Sequence, residues 1–291
     1  MTFAGNVPWL AMLTNQQFDR MRQLALRLAG IELVHRHREL LDHRCGRIGV
    51  REGAGLEALL TAADQGEPKA TQQLLRLLTT KFTGFFRHPK HFVLAAECAL
   101  QAVHQRGRAR LWSAGAATGE EPWSLAITLI ETFDRSDPPV EILATDVDAE
   151  ALAVAEVGEY AETALQMLEP VRRERFFGPT SVNRRWSIGP NVRRLVEFRA
   201  LNFAEADWPV EGPIDVIFCR NVLMYLEAQH RGHVLERMAA LLAPDGLLLL
   251  DPTEHAGSAE HLFSPGASGV YSLRPAASRD ADRHFTPLTK L

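Results

Sequence analysis

From about Arg108 onward, apolar runs of strand length alternate with amphipathic stretches of helical length, and this alternation limits the fold more than any other feature of the chain. ARLWSAG (109–115) precedes EEPWSLAITLIETF (120–133), EILATDVD (141–148) precedes AEALAVAEV (149–157), and QHRGHVLERMAALLAP (229–244) lies between IDVIFCRN (214–221) and GLLLLDP (246–252). LVEFRALNF (195–203) is a further strand-like run. Strands joined through helices pair in parallel, because a crossover returns the chain to the edge it left. An α/β domain built on a parallel sheet is therefore expected. Residues 160–195 break the rhythm with short polar runs and turn signals such as GPTSVN and IGPN, which predicts a small antiparallel subdomain inserted in that domain. The apolar runs Met238–Ala243 and Leu247–Leu250 are far short of the roughly 18 residues a membrane span needs.

The first 92 residues read as a separate helical module with its linker, leaving 93–291 as the second domain. Phe18, Met21, Leu24, Ala25 and Leu28 recur at spacings of three and four, marking a helix that ends near Gly30. A second helix is expected after Ile31, carrying Arg36, Arg38, Arg44 and Arg47 outward and stopping at Gly46 and Gly49. Two more follow at Leu56–Ala63 and Ala70–Leu78, around the break Gln65-Gly66-Glu67-Pro68. This module holds 13 Lys and Arg against 8 Asp and Glu, a balance of +5, whereas the rest of the chain stands at −9. Such asymmetry fits a module that steers an acidic partner, with ordinary surface charge as the plain alternative. Cys45, Cys98 and Cys219 are odd in number and widely spaced, without CxxC, so neither a disulfide scaffold nor a zinc site is expected and the cytoplasm is the expected compartment. The histidines form no metal-ligand spacing, and no aromatic-basic interleaving of a nucleic-acid platform occurs.

Chemistry points to the loop after the first α/β strand, Ser113-Ala114-Gly115-Ala116-Ala117-Thr118-Gly119-Glu120-Glu121-Pro122. Glycine at a strand-to-helix turn lets a ligand approach the backbone, but G-x-x-x-G is neither the dinucleotide fingerprint nor a phosphate loop. Asp146, closing the second strand, is placed to accept the ribose hydroxyls of a nucleoside. Glu120 and Glu121 would repel phosphates and suit a cation, which favours the sulfonium S-adenosylmethionine over NAD or ATP. Plainer readings stand beside these: Asp146 as a helix cap, Asn202 and Asn221 as turn residues, Arg87 as an ion-pair partner, and Tyr225 and Cys219 as core residues.

Three separated motifs, Thr83-Gly84-Phe85-Phe86-Arg87, Trp112-Ser113-Ala114-Gly115 continuing to Thr118-Gly119-Glu120-Glu121-Pro122, and Phe218-Cys219-Arg220-Asn221-Val222-Leu223-Met224-Tyr225, resemble in order the signatures of the CheR family. The resemblance extends from about residue 15 to 275. These chemotaxis methyltransferases esterify glutamate side chains of chemoreceptors, using S-adenosylmethionine and releasing S-adenosylhomocysteine. The resemblance implies a helical N-terminal domain and a Rossmann-like methyltransferase domain. It implies cofactor contacts from Lys81, Thr83, Arg87, Gly115, Glu121, Asp146, Asn202, Phe203, Asn221 and Val222, with Arg87 and Tyr225 at the methyl-transfer site. It also implies docking of the receptor's helical bundle on the basic helix through Arg36, Arg44 and Arg47.

The chain departs from the pattern at four places. Lys81 stands where the family has Asn, and His37 where Lys is common. Asp251-Pro252-Thr253-Glu254 replaces Gly-His-Ser-Glu, and the inserted subdomain lacks the G-x-G of members that tether to a receptor pentapeptide, so no such tethering is expected. The departures at Lys81 and Asp251 support an alternative reading as a non-catalytic sensor or scaffold. A methyltransferase acting on nucleic acid or a small molecule is a third.

Overall fold

The computed structural model describes residues 13–51, 55–79, 83–181 and 184–275, with the backbone alone for 46–51. The chain parts into two compact units, 1–80 and 81–291. The division expected after residue 92 falls inside a helix, Pro89–Arg106.

The first unit contains α1 (Asn15–Ala29), α2 (Arg38–Arg51), α3 (Leu56–Asp64) and α4 (Pro68–Leu78). Thr14 and Gln17 close a reciprocal capping box at the start of α1, and Gly30, at φ 64°, ends it in the left-handed conformation. Phe18, Met21, Leu24, Leu41, Leu60, Leu74 and Leu75 fill the unit's core. Two expectations are corrected here. The second helix starts at Arg38 rather than just after Ile31, because an extended segment and a 3-10 turn at His35–His37 intervene. It also runs through Gly46 and Gly49 to Arg51. A mid-helix glycine costs only about 1 kcal/mol against alanine, which packing of α2 on α3 and α4 can offset.

The second unit runs α5 (Pro89–Arg106), β1 (Ala109–Ala114), α6 (Glu120–Phe133), β2 (Val140–Asp146), α7 (Ala149–Val157), β3 (Glu159–Ala161), α8 (Pro170–Phe176), β4 (Phe177–Pro179), β5 (Arg185–Ile188), α9 (Pro190–Arg193), β6 (Val196–Ala200), β7 (Ile214–Cys219), α10 (Ala228–Leu241), β8 (Leu242–Leu250), β9 (Phe263–Pro265) and β10 (Val270–Leu273). Its seven-stranded sheet has the order β6-β2-β1-β7-β8-β10-β9. The first five strands are parallel, and β10 and β9 add antiparallel. A Rossmann-like α/β fold follows a helical region, as the sequence predicts. The strands β3, β5 and β4 form a separate antiparallel sheet, the inserted subdomain. Trp112, Trp123, Leu111, Leu125 and Phe218 are fully buried around the central strands. The strand order reverses at β1, so a crevice opens beyond the carboxyl ends of β1 and β7, where open α/β sheets bind ligands. No helix among the described residues is long and apolar enough to cross a membrane.

Candidate active site

The loop after β1 wraps onto the end of β2. The amides of Gly115 and Ala116 both donate to the Thr145 carbonyl, at 2.8 and 2.9 Å. Ala117, at φ 47°, turns its amide onto Asp146 Oδ2 at 2.8 Å, and the Asp148 amide donates to Asp146 Oδ1 at 2.9 Å. Asp146 is therefore not the cap of α7. Asp148 takes that role, accepting from Glu150 and Ala151. Each Asp146 oxygen thus accepts a backbone amide.

Gly115 has φ 107°, and a Cβ there would stand 2.4 Å from Val222 Cγ2. The second glycine, Gly119 at φ 95°, is enclosed by Ala155 and the Tyr160 hydroxyl. Both glycines are thus required by backbone conformation and by close approach. Tyr160 donates to the Thr118 carbonyl at 2.7 Å, and burial pushes its phenol far up. Glu120, buried at the start of α6, accepts from Thr118 Oγ1 at 2.7 Å, and burial raises its pKa despite that bond.

Glu121 sits in a buried pair with Arg220, at the end of β7. Arg220 Nε and one terminal nitrogen each lie 2.6 Å from Glu121 Oε2, and Ser113 Oγ donates to Oε1 at 2.7 Å. The third face of the guanidinium donates to the Arg87 carbonyl at 2.6 Å. Arg87 lies between two residues with left-handed backbone, Phe86 (φ 52°) and His88 (φ 57°), and the Phe86 amide donates to Ser124 Oγ. Its side chain reaches Asp251 Oδ2 at 3.5 Å. Arg220 and Ser113 are site residues beyond those expected from the sequence; for Arg220 the available signal is a charged residue closing the run IDVIFC, which is apolar except for Asp215.

Asn221 follows, at φ 60°, and a 3-10 turn covers Leu223–Tyr225. Glu254 holds this segment by accepting the amides of Asn221, Met224 and Asp251 at 2.8, 3.0 and 3.1 Å, while burial raises its pKa. The Asn221 amide group and the Tyr225 hydroxyl have no hydrogen-bond partner among the described residues. Cys219, one residue earlier, is fully buried, and its thiol is pushed up by that burial. Asn202 closes a turn by accepting from the Ala204 amide at 3.0 Å, while the Leu201 amide bonds to the Asp146 carbonyl. Phe203 packs against Trp112 and Trp208.

The structure thus brings Gly115, Asp146, Val222 and the Asn202–Phe203 turn to one side of the crevice. It links Arg87, Glu121 and Asn221 through Arg220, Asp251 and Glu254. Thr83 is half-buried at the start of the linker segment, and Lys81 lies outside the described residues.

Residues 81–270 match the family model of the CheR methyltransferase SAM-binding domain. The chain belongs to the CheR methyltransferase family. A chemotaxis protein methyltransferase 2 of Pseudomonas aeruginosa is 38% identical over 264 residues, covering 89% of this chain and 93% of that protein. The chemotaxis protein methyltransferase of Escherichia coli K12 is 34% identical over 270 residues, covering 90% and 92%. Among solved structures, a TehB-like SAM-dependent methyltransferase of Corynebacterium glutamicum aligns with a TM-score of 0.36 at 14% identity, over 62% of this chain and 87% of that one, and adds no weight to the assignment.

S-adenosylmethionine is the cofactor of this CheR-family enzyme, and the crevice fits it. Gly115 lets the loop backbone close directly onto the Val222 side chain, Asp146 presents a carboxylate at the end of β2, and no lysine or arginine lies in the loop 115–122 to select a phosphate.

In the helical unit, Arg36 is exposed on the 3-10 turn, and the Arg47 side chain lies outside the described residues. Arg44 donates to the Leu77 and Thr79 carbonyls at 2.6 and 2.9 Å, capping the end of α4.

Proposed function

We propose that this enzyme methylates glutamate side-chain carboxylates of a chemoreceptor's cytoplasmic helical bundle, giving glutamate methyl esters and S-adenosylhomocysteine. The observation that carries the reading is the tethering of Arg87, by its carbonyl to Arg220 and by its side chain to Asp251, at the carboxyl ends of β7 and β8. On this reading Asp146 accepts the ribose hydroxyls, Asn202 and Phe203 border the adenine, and Gly115, Val222 and Asn221 line the path to the methyl group. Lys81 and Thr83 approach the cofactor from the linker. Glu121 acts from beneath, through Arg220.

The bound cofactor supplies an electrophilic methyl on a sulfonium, transferred to a carboxylate oxygen as the carbon–sulfur bond breaks. A glutamate of pKa about 4.3 is already ionised at neutral pH, so no general base is required. The protein's task is alignment, for which effective molarities are large. Arg87 anchors the acceptor carboxylate through charge-assisted hydrogen bonds, and the Tyr225 hydroxyl orients it.

Receptor docking falls to Arg36 and Arg47; Arg44 serves the fold first, through its bonds to the Leu77 and Thr79 carbonyls. No pentapeptide tether is involved, and the protein works in the cytoplasm; titration with a receptor C-terminal pentapeptide should give no micromolar binding. The central test is Arg87→Ala, assayed by base-labile methyl released as methanol. Transfer should fall at least a hundredfold while S-adenosylhomocysteine affinity changes by less than tenfold. Near-normal transfer removes Arg87 from the mechanism.

A further inference from the structure

Asp251 stands at the end of β8 and is only 4% exposed. Oδ1 is occupied by Thr253, which donates its amide at 3.1 Å and its hydroxyl at 2.7 Å. That fixes the carboxylate plane and leaves Oδ2 facing the linker. There it lies 3.5 Å from an Arg87 terminal nitrogen and 3.3 Å from His88 Nε2, the latter at ion-pair distance without hydrogen-bond alignment. Phe86 and His88, on either side of Arg87, hold positive φ angles that a side chain with a Cβ adopts at a cost of about 1 kcal/mol or more each. A segment with two such residues keeps its shape only when neighbours over-determine it. Here the Arg87 carbonyl is held by Arg220 and its guanidinium by Asp251, two anchors from adjacent strands.

We propose that Asp251 is a positioning residue that sets the Arg87 guanidinium for the acceptor carboxylate. The inference rests on the reading of Arg87 given above. Burial acts against the Asp251 charge, but the Thr253 bonds together with His88 and Arg87 outweigh it and hold the carboxyl below its ordinary value, so the anion persists across the working pH range. The Asp251 charge also offsets part of the Arg87 charge. Acceptor binding therefore leans less on long-range attraction than on alignment, and loss of Asp251 should appear in kcat.

Asp251→Asn keeps an acceptor for Thr253 and turns an amide toward Arg87 and His88. With the full-length protein and a chemoreceptor cytoplasmic fragment that the unaltered enzyme methylates, kcat should fall about tenfold or more. KM for the fragment should stay within threefold and S-adenosylhomocysteine affinity within twofold. Asp251→Glu should restore part of kcat. Crystal structures of both proteins with S-adenosylhomocysteine supply a readout independent of turnover, and the Arg87 guanidinium should be displaced in Asp251→Asn. An unchanged kcat, an unmoved guanidinium, or a loss of cofactor-product affinity equal to the loss of kcat overturns the proposal. If Asp251→Asn fails in this way while Arg87→Ala still abolishes transfer, only the Asp251 role falls; near-normal transfer by Arg87→Ala removes the reading beneath it.

Discussion

Arg220→Met tests the buried pair on which the site is built. The substitution retains an apolar stem and removes three polar contacts at 2.6 Å: two to Glu121 Oε2 and one to the Arg87 carbonyl. Glu121, 8% exposed, then keeps Ser113 alone as a donor, so its charge stays buried without a counter-ion. Removing one member of a buried pair costs about 3–5 kcal/mol. For a unit of this size each kcal/mol moves the melting temperature by about 2–4 °C, which places the expected fall near 10 °C. Four of the five tryptophans, Trp112, Trp123, Trp186 and Trp208, lie in the second unit, so tryptophan fluorescence in urea reads its unfolding. The double variant Arg220→Met with Glu121→Leu removes both charges and should regain at least half of the loss, because the desolvation cost disappears with the pair. A single-variant loss below about 1 kcal/mol, or a double variant as unstable as the sum of its singles, would refute the reasoning.

Gly115→Ala should lower S-adenosylhomocysteine affinity at least tenfold in calorimetric titration, since the new methyl meets Val222 at 2.4 Å and the residue must keep φ 107°. Unchanged affinity would place the cofactor away from this loop. Glu120→Gln tests a buried charge. Burial raises the Glu120 pKa in the fold, so the folded state holds its proton more tightly than the unfolded chain and stability declines as pH rises above about 4.5 through the raised value. Gln still accepts from Thr118 and carries no such penalty. The variant should be more stable than the parent at pH 7 and equal to it at pH 4, in urea unfolding at both; lower stability at pH 7 contradicts the assignment.

Much of the second unit is legible because its elements are long and strongly patterned. β1, β2, β7 and α6 are apolar enough, and long enough, for period alone to fix their type. The strands β9 and β10 are three and four residues long and carry no period, and they became visible only through pairing with β8. α5 was hidden for a related reason: its buried face is largely alanine (Ala95, Ala96, Ala99, Ala102), which gives little contrast with its exposed side. The glycine positions and Asp146 were readable, since strand-to-helix turns constrain them locally. Arg220 and Glu254 were not, and Asp251 stood out only as a departure from the family pattern, because their partners lie thirty or more residues away and sequence distance conceals such pairings.

The buried carboxylates of the site share one physical task. A methyl transfer to an ionised carboxylate moves no proton, so the enzyme gains chiefly by holding atoms still. Three of the segments that carry candidate side chains are held by a buried or half-buried carboxylate. Asp146 takes the amides of Ala117 and Asp148, Glu254 takes those of Asn221, Met224 and Asp251, and Glu121 fixes the Arg87 carbonyl through Arg220. A carboxylate accepting two or three backbone N–H groups orders a loop that has no ladder of its own, through charge-assisted bonds roughly twice as strong as neutral ones. Asp146 and Glu121, which the sequence singles out, and Glu254, which it does not, therefore set the geometry in which, on the proposed reading, Arg87, Asn221 and Tyr225 meet the acceptor. Their replacement should cost alignment before it costs cofactor binding.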